Sequence, residues 1–222
     1  MKVSDAITTR RSVRGFLDQP VPHDVIRRVL RGASRAPSGG NLQPWHIHIV
    51  SGASMAGLKQ IMQARVREAP DGEATDYDIY PGSLMSPYRE RRYKVGEDLY
   101  ACLGIPREDK AGRKRQFARN FAFFGAPMGL FCSIDRRMGR PQWADLGMFL
   151  QNVMLLLREE GLDSCPQEAW SLYPQTVANF LKLPEHMMLF CGMAIGYADP
   201  DAPANRLSTT RADLGEFVEF LD

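Results

Sequence analysis

Four cysteines, Cys102, Cys132, Cys165 and Cys191, are scattered over 222 residues with no Cys-x-x-Cys pair. Neither a zinc ribbon nor a redox dithiol is encoded by such spacing. Histidines also number four, and only His46 and His48 would share one face of a strand. With no carboxylate or cysteine beside them they fall short of the three or four ligands of a metal site, so no metal is expected. No apolar run reaches the roughly 18 residues that span a bilayer, and no charged-then-apolar leader opens the chain. The expectation is a cytoplasmic protein with no membrane contact. Charge of one sign is missing too: 28 Lys and Arg against 26 Asp and Glu leave a net charge of +2. That balance lacks the basic surface of a nucleic-acid binder. Also absent are Gly-x-Gly-x-x-Gly and Gly-x-x-x-x-Gly-Lys, which argues against a Rossmann dehydrogenase and a P-loop nucleotidase.

What is present is concentrated in two short stretches. The first is Thr9-Arg10-Arg11-Ser12-Val13-Arg14-Gly15-Phe16, with three arginines and a serine within five residues. Guanidinium forks match phosphate oxygens two at a time, and a serine hydroxyl adds a short donor. Taken alone the octapeptide also reads as a solvated basic turn. The second is Ala36-Pro37-Ser38-Gly39-Gly40-Asn41-Leu42-Gln43-Pro44-Trp45. Its small residues let backbone approach a flat ligand, and Ser38, Asn41 and Gln43 offer polar side chains. An ordinary loop uses many of the same residues.

The length suits one domain spanning residues 1–222. Ser4 is a plausible cap for a short first helix. A second helix opens near Pro22, with Asp24 in its first turn and a stripe of Val25, Ile26, Val29, Leu30 and Ala33. Trp45 to Val50 alternates as a strand does. Ser54 would cap a helix carrying Met55, Leu58, Ile61, Met62 and Val66. Residues 69–116 change character: prolines, charge and tyrosine replace apolar periodicity, with Arg89, Arg91, Arg92 and Lys94 beside Tyr88 and Tyr93. Such an insertion reads as solvated surface or as a lid. Phe117 to Phe124 should be helical, Met128 to Ile134 a buried strand, and Asp145 the start of a long apolar helix ended by Gly161. A loop from Asp163 to Trp170, a short helix from Pro174 to Leu181 and a central strand from Met188 to Tyr197 follow. The tail closes on Leu214, Phe217, Val218 and Leu221. The class is α+β, with helices packed around a mixed central sheet.

The two stretches, in this order, resemble the motifs of the FMN-dependent nitroreductase family. The resemblance continues through Phe123-Phe124-Gly125-Ala126-Pro127, Cys165-Pro166-Gln167-Glu168-Ala169-Trp170 and the segment from Asn205 to Phe217. It covers almost the whole chain and leans towards members that act on small nitroaromatic compounds such as nitrobenzoates. It implies a homodimer with an exchanged C-terminal arm and FMN at the interface. NADH or NADPH would be the reductant in a ping-pong reaction through flavin N5, with nitroaromatics and quinones as small-molecule acceptors. No catalytic side chain is implied, because the flavin carries the chemistry.

By the same resemblance Arg10, Arg11 and Ser12 meet the phosphate end, and Arg14 approaches the pyrimidine edge of the flavin. Pro37, Ser38 and Asn41 contact the cofactor from the second motif, across the interface. Pro166, Gln167 and Glu168 form the loop whose backbone N–H faces N5, and Arg211 closes the phosphate site. Many relatives carry a lysine where this chain has Thr209, which leaves one cation fewer unless Arg206 takes its place. Tyr88, Arg89, Arg91 and Arg92 are the candidates for acceptor binding. Reductive dehalogenases and flavin-fragmenting enzymes share the scaffold and remain alternatives, as does a non-catalytic flavin- or anion-binding protein.

Overall fold

The computed structural model describes residues 1–221. Eleven regular elements follow one another: α1 (Val3–Thr9), α2 (His23–Ala33), β1 (His46–Ser51), α3 (Gly52–Glu68), α4 (Tyr88–Cys102), α5 (Lys110–Ala118), β2 (Met128–Asp135), α6 (Arg140–Glu159), β3 (Asp163–Gln167), α7 (Pro174–Leu181) and β4 (Met187–Gly196). The four strands form one sheet in the order β1-β2-β4-β3. The α+β class is as expected, but every strand pair is antiparallel where a mixed sheet was expected. The parallel pairing present is an isolated bridge between Ser12 and Ser164.

Alternation along the strands divides the core in two. Ile47, Ile49, Leu130, Cys132, Met193 and Ile195 face α2 and α6, whose Val29, Ala33, Leu146, Phe149, Val153 and Leu157 complete that side. Val50, Phe131, Leu189 and Ala194 face the other way, against Met55, Leu58 and Met62 of α3 and against the aromatic cluster Phe121, Phe123, Trp170 and Tyr173. Gly129 and Gly192 lie on this second face. A Cβ on Gly129 would come within 2.4 Å of the Phe123 ring, and one on Gly192 within 2.3 Å of Trp170. The missing side chains are slots into which two rings fit.

Several boundaries moved. α1 is capped around Lys2 and Asp5, not Ser4. α3 begins at Gly52, ahead of Ser54, and α6 begins at Arg140, ahead of Asp145. The expected loop from Asp163 to Trp170 is a strand followed by a 3-10 turn, Glu168–Leu172. Asp-Ser-Cys-Pro-Gln has little strand propensity, and Pro166 has no N–H to give; both are tolerated because β3 lies at the sheet edge. The run from Phe117 is helical only to Ala118 and continues as a 3-10 turn, Arg119–Gly125, with Phe123 and Phe124 at φ 51° and 54°.

Residues 69–116 contain two helices. α4 buries none of its residues. α5 is capped by Asp109, whose carboxylate accepts the Gly112 N–H at 2.7 Å. Arg113 joins the two helices through Glu97 at 2.6 and 3.0 Å. The start of the segment is pinned by Glu73, which accepts from Arg65 Nε at 2.9 Å and from the N–H groups of Gln175 and Thr176 at 2.9 and 3.1 Å. These amides belong to the first turn of α7, so Glu73 caps that helix from a hundred residues away. No helix among the described residues is long and apolar enough to cross a membrane.

Candidate functional site

The arginine-rich stretch leaves α1 in extended form and runs beside β3. The Val13 N–H donates to the Ser164 carbonyl at 3.0 Å. This contact carries the stretch along the outer edge of the sheet and leaves the side chains of Arg10, Arg11, Ser12 and Arg14 facing a cleft of about 960 Å³. The opposite wall is the tail, Leu207, Ser208, Thr209 and Arg211. Asn205, nearly buried, locks the two walls together. Its Oδ1 accepts the Arg14 N–H at 2.7 Å, and its Nδ2 donates to the carbonyls of Gly15 and Asp199 at 2.8 and 2.9 Å. Arg11 Nη1 donates to the Asn205 carbonyl at 3.0 Å. Gly15 is required at this junction, since a Cβ there would meet Ala202 Cβ at 2.4 Å.

Five guanidinium groups line the cleft, those of Arg10, Arg11, Arg14, Arg158 and Arg211, against the carboxylate of Asp163. Arg158 donates to Asp163 Oδ1 at 2.8 Å, while its buried Nε has no hydrogen-bond partner among the described residues. Arg211 donates to Thr209 Oγ1 at 2.9 Å and to the Thr210 carbonyl at 2.8 Å. The excess positive charge, with an orphaned donor, fits a dianionic phosphate. Arg206 is not among the residues that line the cleft, whereas Arg158 brings a further cation to it from another element.

The loop after β3 lies next to this wall. Cys165 sits close enough to Arg14 and Arg10 to feel both, yet burial outweighs them and pushes its thiol up to about 11. Pro166 is exposed. The Gln167 side chain points inward, donating to the Asn120 carbonyl and Oδ1 at 2.8 and 3.1 Å and accepting from Trp170 Nε1 at 3.3 Å. What this residue offers a ligand is therefore main chain. Glu168 keeps an exposed surface, while its packed surroundings raise its carboxyl above the ordinary value.

The second stretch does not line the cleft. Pro37, Ser38 and Asn41 sit in a loop braced on α6, where the Gly39 N–H reaches the two carboxylate oxygens of Asp145 at 3.4 and 3.3 Å. Ser38 Oγ accepts the Gln43 N–H at 3.0 Å. Gly40, Asn41 and Gln43 all hold positive φ, between 50° and 57°, so the loop has a defined shape although it is exposed. The acceptor candidates lie on α4. Tyr88 is exposed, Arg89 pairs with Glu90 at 2.6 Å, Arg91 pairs with Glu216 of the tail at 2.8 Å, and Arg92 stacks over Tyr80 at 4.0 Å.

From the sequence, Asp145, Asp163 and Asn205 stand only at the bounds of elements or segments, and neither they nor Arg158 are candidates for the site. Arg158 looks like an ordinary cation in the last turn of a helix, and Asp145 like a residue of its first turn. Asn205 beside Pro203 looks like a turn residue. Distant partners reveal Asn205 and Asp145, and Arg158 and Asp163 are revealed by each other across the turn between α6 and β3. No group of three or more His, Cys, Asp or Glu among the described residues is arranged to hold a metal.

The sequence profile of the Nitroreductase family matches residues 7–197. The chain belongs to the nitroreductase family. The match takes in the arginine stretch, the second motif, the whole sheet and the loop after β3. The nitrobenzene nitroreductase of Ectopseudomonas oleovorans is 37% identical over 219 residues, covering 99% of this chain and 96% of that protein. The 4-nitrobenzoate reductase of Pseudomonas putida is 38% identical over 216 residues, covering 97% and 93%. Among solved structures, the FMN- and NADPH-dependent nitroreductase NfnB from Sphigopyxis sp. strain HMH is 49% identical, covers 100% of both chains and superposes with a TM-score of 0.97. The nitroreductase fold is thus present from end to end, with α4 and α5 part of it.

Proposed function

We propose that the protein is an FMN-dependent oxidoreductase that uses NADH or NADPH to reduce small, flat acceptors, nitroaromatic compounds first and quinones second. The observation that carries the reading is the cleft with five arginines and one carboxylate. The family relatives named above supply the acceptor class and the flavin. When bound, FMN would supply hydride chemistry that no side chain of the protein provides.

The chain's own part is binding and shaping. Arg10, Arg11, Ser12 and Arg211 hold the phosphate, helped by Arg158, and Asn205 keeps their two walls at a fixed distance. Arg14 would present a cation to the pyrimidine edge of a bound flavin. Pro166 to Glu168 present main chain to the ring, held still by the side chain of Gln167 on Asn120 and Trp170. Pro37, Ser38 and Asn41 complete the site from a second copy of the chain, since their loop does not line the cleft of its own subunit. The tail supports a homodimer as well: Leu214, Phe217, Phe220 and Leu221 are between 59% and 87% exposed in the single chain. So large an apolar surface on a short arm calls for a partner. Residues 69–116 act as the lid within a unit spanning residues 1–222. Four free cysteines suit the reducing cytoplasm, where reduced nicotinamide nucleotides are made.

The test compares FMN with riboflavin, which lacks the phosphate. Charge-assisted hydrogen bonds contribute about 1.5–3 kcal/mol each, so FMN should bind at least about tenfold tighter. Arg10→Ala should erase most of that difference. The yellow protein should bleach with NADPH in the absence of air and recover its colour on adding nitrobenzene. Equal affinity for the two flavins would overturn the phosphate assignment, and a flavin that stays oxidised under both nucleotides would overturn the activity.

A further inference from the structure

A second concavity lies away from the arginine cleft, between α3 and the turn Arg119–Gly125, and has a volume of about 460 Å³. Its floor is apolar, made by Met62, Val66, Phe121 and Ala122. Its rim carries Lys59 and Arg67, eight residues apart on α3 and so about 12 Å apart along the axis. Neither cation forms an ion pair among the described residues; Arg67 donates its Nε to the Gln63 carbonyl at 3.1 Å, and Asp18 is the carboxylate whose charge reaches Lys59. Lys59 is partly buried, and burial lowers its ammonium below the ordinary lysine value. A partly buried cation at the edge of an apolar trough, answered only by the charge of Asp18 from a neighbouring cleft and by no ion pair, has an unmet interaction. The flavin site uses none of these residues.

We propose that this groove binds a small monocarboxylate with an apolar body, its head group on Lys59 and its body along Met62, Val66 and Phe121. The volume accommodates such a molecule whole, and both charge and polarity run in the right direction along α3. Arg67 borders the far end, with Gln63 midway between it and Lys59, and a longer or second polar group would end at Arg67. The back wall is not inert scenery. Phe121 packs edge-on against Trp170 with ring centroids 5.5 Å apart, and Asn120 next to it accepts the Gln167 side chain at 2.8 Å. The groove therefore shares a wall with the loop that presents main chain to the flavin.

The test uses octanoate and its neutral counterpart octanamide with the assembled holoenzyme, read by titration calorimetry. Octanoate should bind at one site per chain and octanamide at least about tenfold more weakly, as loss of one charge-assisted contact implies. Lys59→Gln should remove the difference while leaving FMN affinity and nitrobenzene reduction unchanged. Val66→Trp, which fills the trough, should abolish binding of both. Three results would overturn the proposal: no heat with octanoate in the holoenzyme, equal affinity for acid and amide, or octanoate binding that competes with nitrobenzene and ignores Lys59→Gln.

Discussion

α6 and α4 are both helices of several turns, and different forces hold them. α6 spans 20 residues and buries Asp145, Leu146, Phe149, Leu150, Val153 and Leu157 against α2 and the sheet. α4 spans 15 residues and buries none. Its links to other elements are polar: Arg113 to Glu97 and over the Tyr100 ring, Arg107 over the Tyr93 ring, and Arg91 to Glu216 of the tail. Apolar burial is insensitive to salt and hard to undo locally, whereas exposed ion pairs contribute little each and are screened. α6 is thus held by burial, and α4 by polar contacts at its surface.

The contrast can be broken from its strong side first. Leu157→Ala in α6 should destabilise the protein by about 2–5 kcal/mol, read from the urea midpoint. Val95→Ala in α4 should stay within about 0.5 kcal/mol. Comparable losses from the two would mean that α4 is packed far better than its exposure indicates.

Glu73, where the insertion leaves the core, should give an intermediate effect. Burial works to raise its carboxyl, but the Thr176 hydroxyl and N–H, Arg65 and the Gln175 N–H outweigh it and hold the pKa below the ordinary value. A lowered folded pKa stabilises the protein above the unfolded value near 4.3, and that contribution is lost as pH falls through the folded value. Glu73→Gln should therefore cost about 1–3 kcal/mol at neutral pH and flatten the acid limb of the stability profile. An unchanged acid limb would show that the carboxylate does not hold the junction.

Arg91→Ala should cost under about 1 kcal/mol of global stability. Its mark should appear instead in hydrogen exchange, with faster exchange confined to α4 and the tail and the same loosening produced in wild type by high salt. Protection unchanged in both segments would cut the link between α4 and the tail.

The smallest effect concerns the acceptor. Arg89 and Arg91 are already paired with carboxylates, which leaves Arg92, stacked on Tyr80, for a charged substrate. Arg92→Ala should lower kcat/KM for 4-nitrobenzoate relative to its methyl ester by about fivefold or less, the worth of an exposed pair. An unchanged ratio would remove Arg92 from acceptor binding.

The same contrast explains what could be read in advance. α6 announces itself through Leu146, Phe149, Leu150, Val153 and Leu157, because a buried helix must carry its stripe in the sequence. α4 has no stripe to read, so Tyr88 to Cys102 passed for irregular surface. β3 was missed for a related reason: Asp163 to Gln167 is a strand through its pairing with β4, not through its own residues. In the site, Arg10 to Arg14 and Arg211 were legible as a local cluster and a distal cation. Asn205 was not, since its partner Arg14 is brought to it by the fold, nor was Arg158, whose pairing with Asp163 depends on the turn between α6 and β3. The antiparallel course of the sheet was likewise undetermined, because connections as long as these allow either direction.

The bare positions at Gly129 and Gly192 bear on how far such a protein can be varied. Laboratory evolution of acceptor range usually randomises the residues that touch the acceptor and leaves the sheet alone. Here the Phe123 and Trp170 rings rest in notches that any side chain would fill, so size at four positions is correlated within the interior. A variant that gains bulk at either glycine needs a smaller ring opposite, so the two substitutions are coupled and each alone is costly. Libraries that pair Gly129 with Phe123, or Gly192 with Trp170, would reach repacked interiors that one-at-a-time mutagenesis enters only through a costly single step.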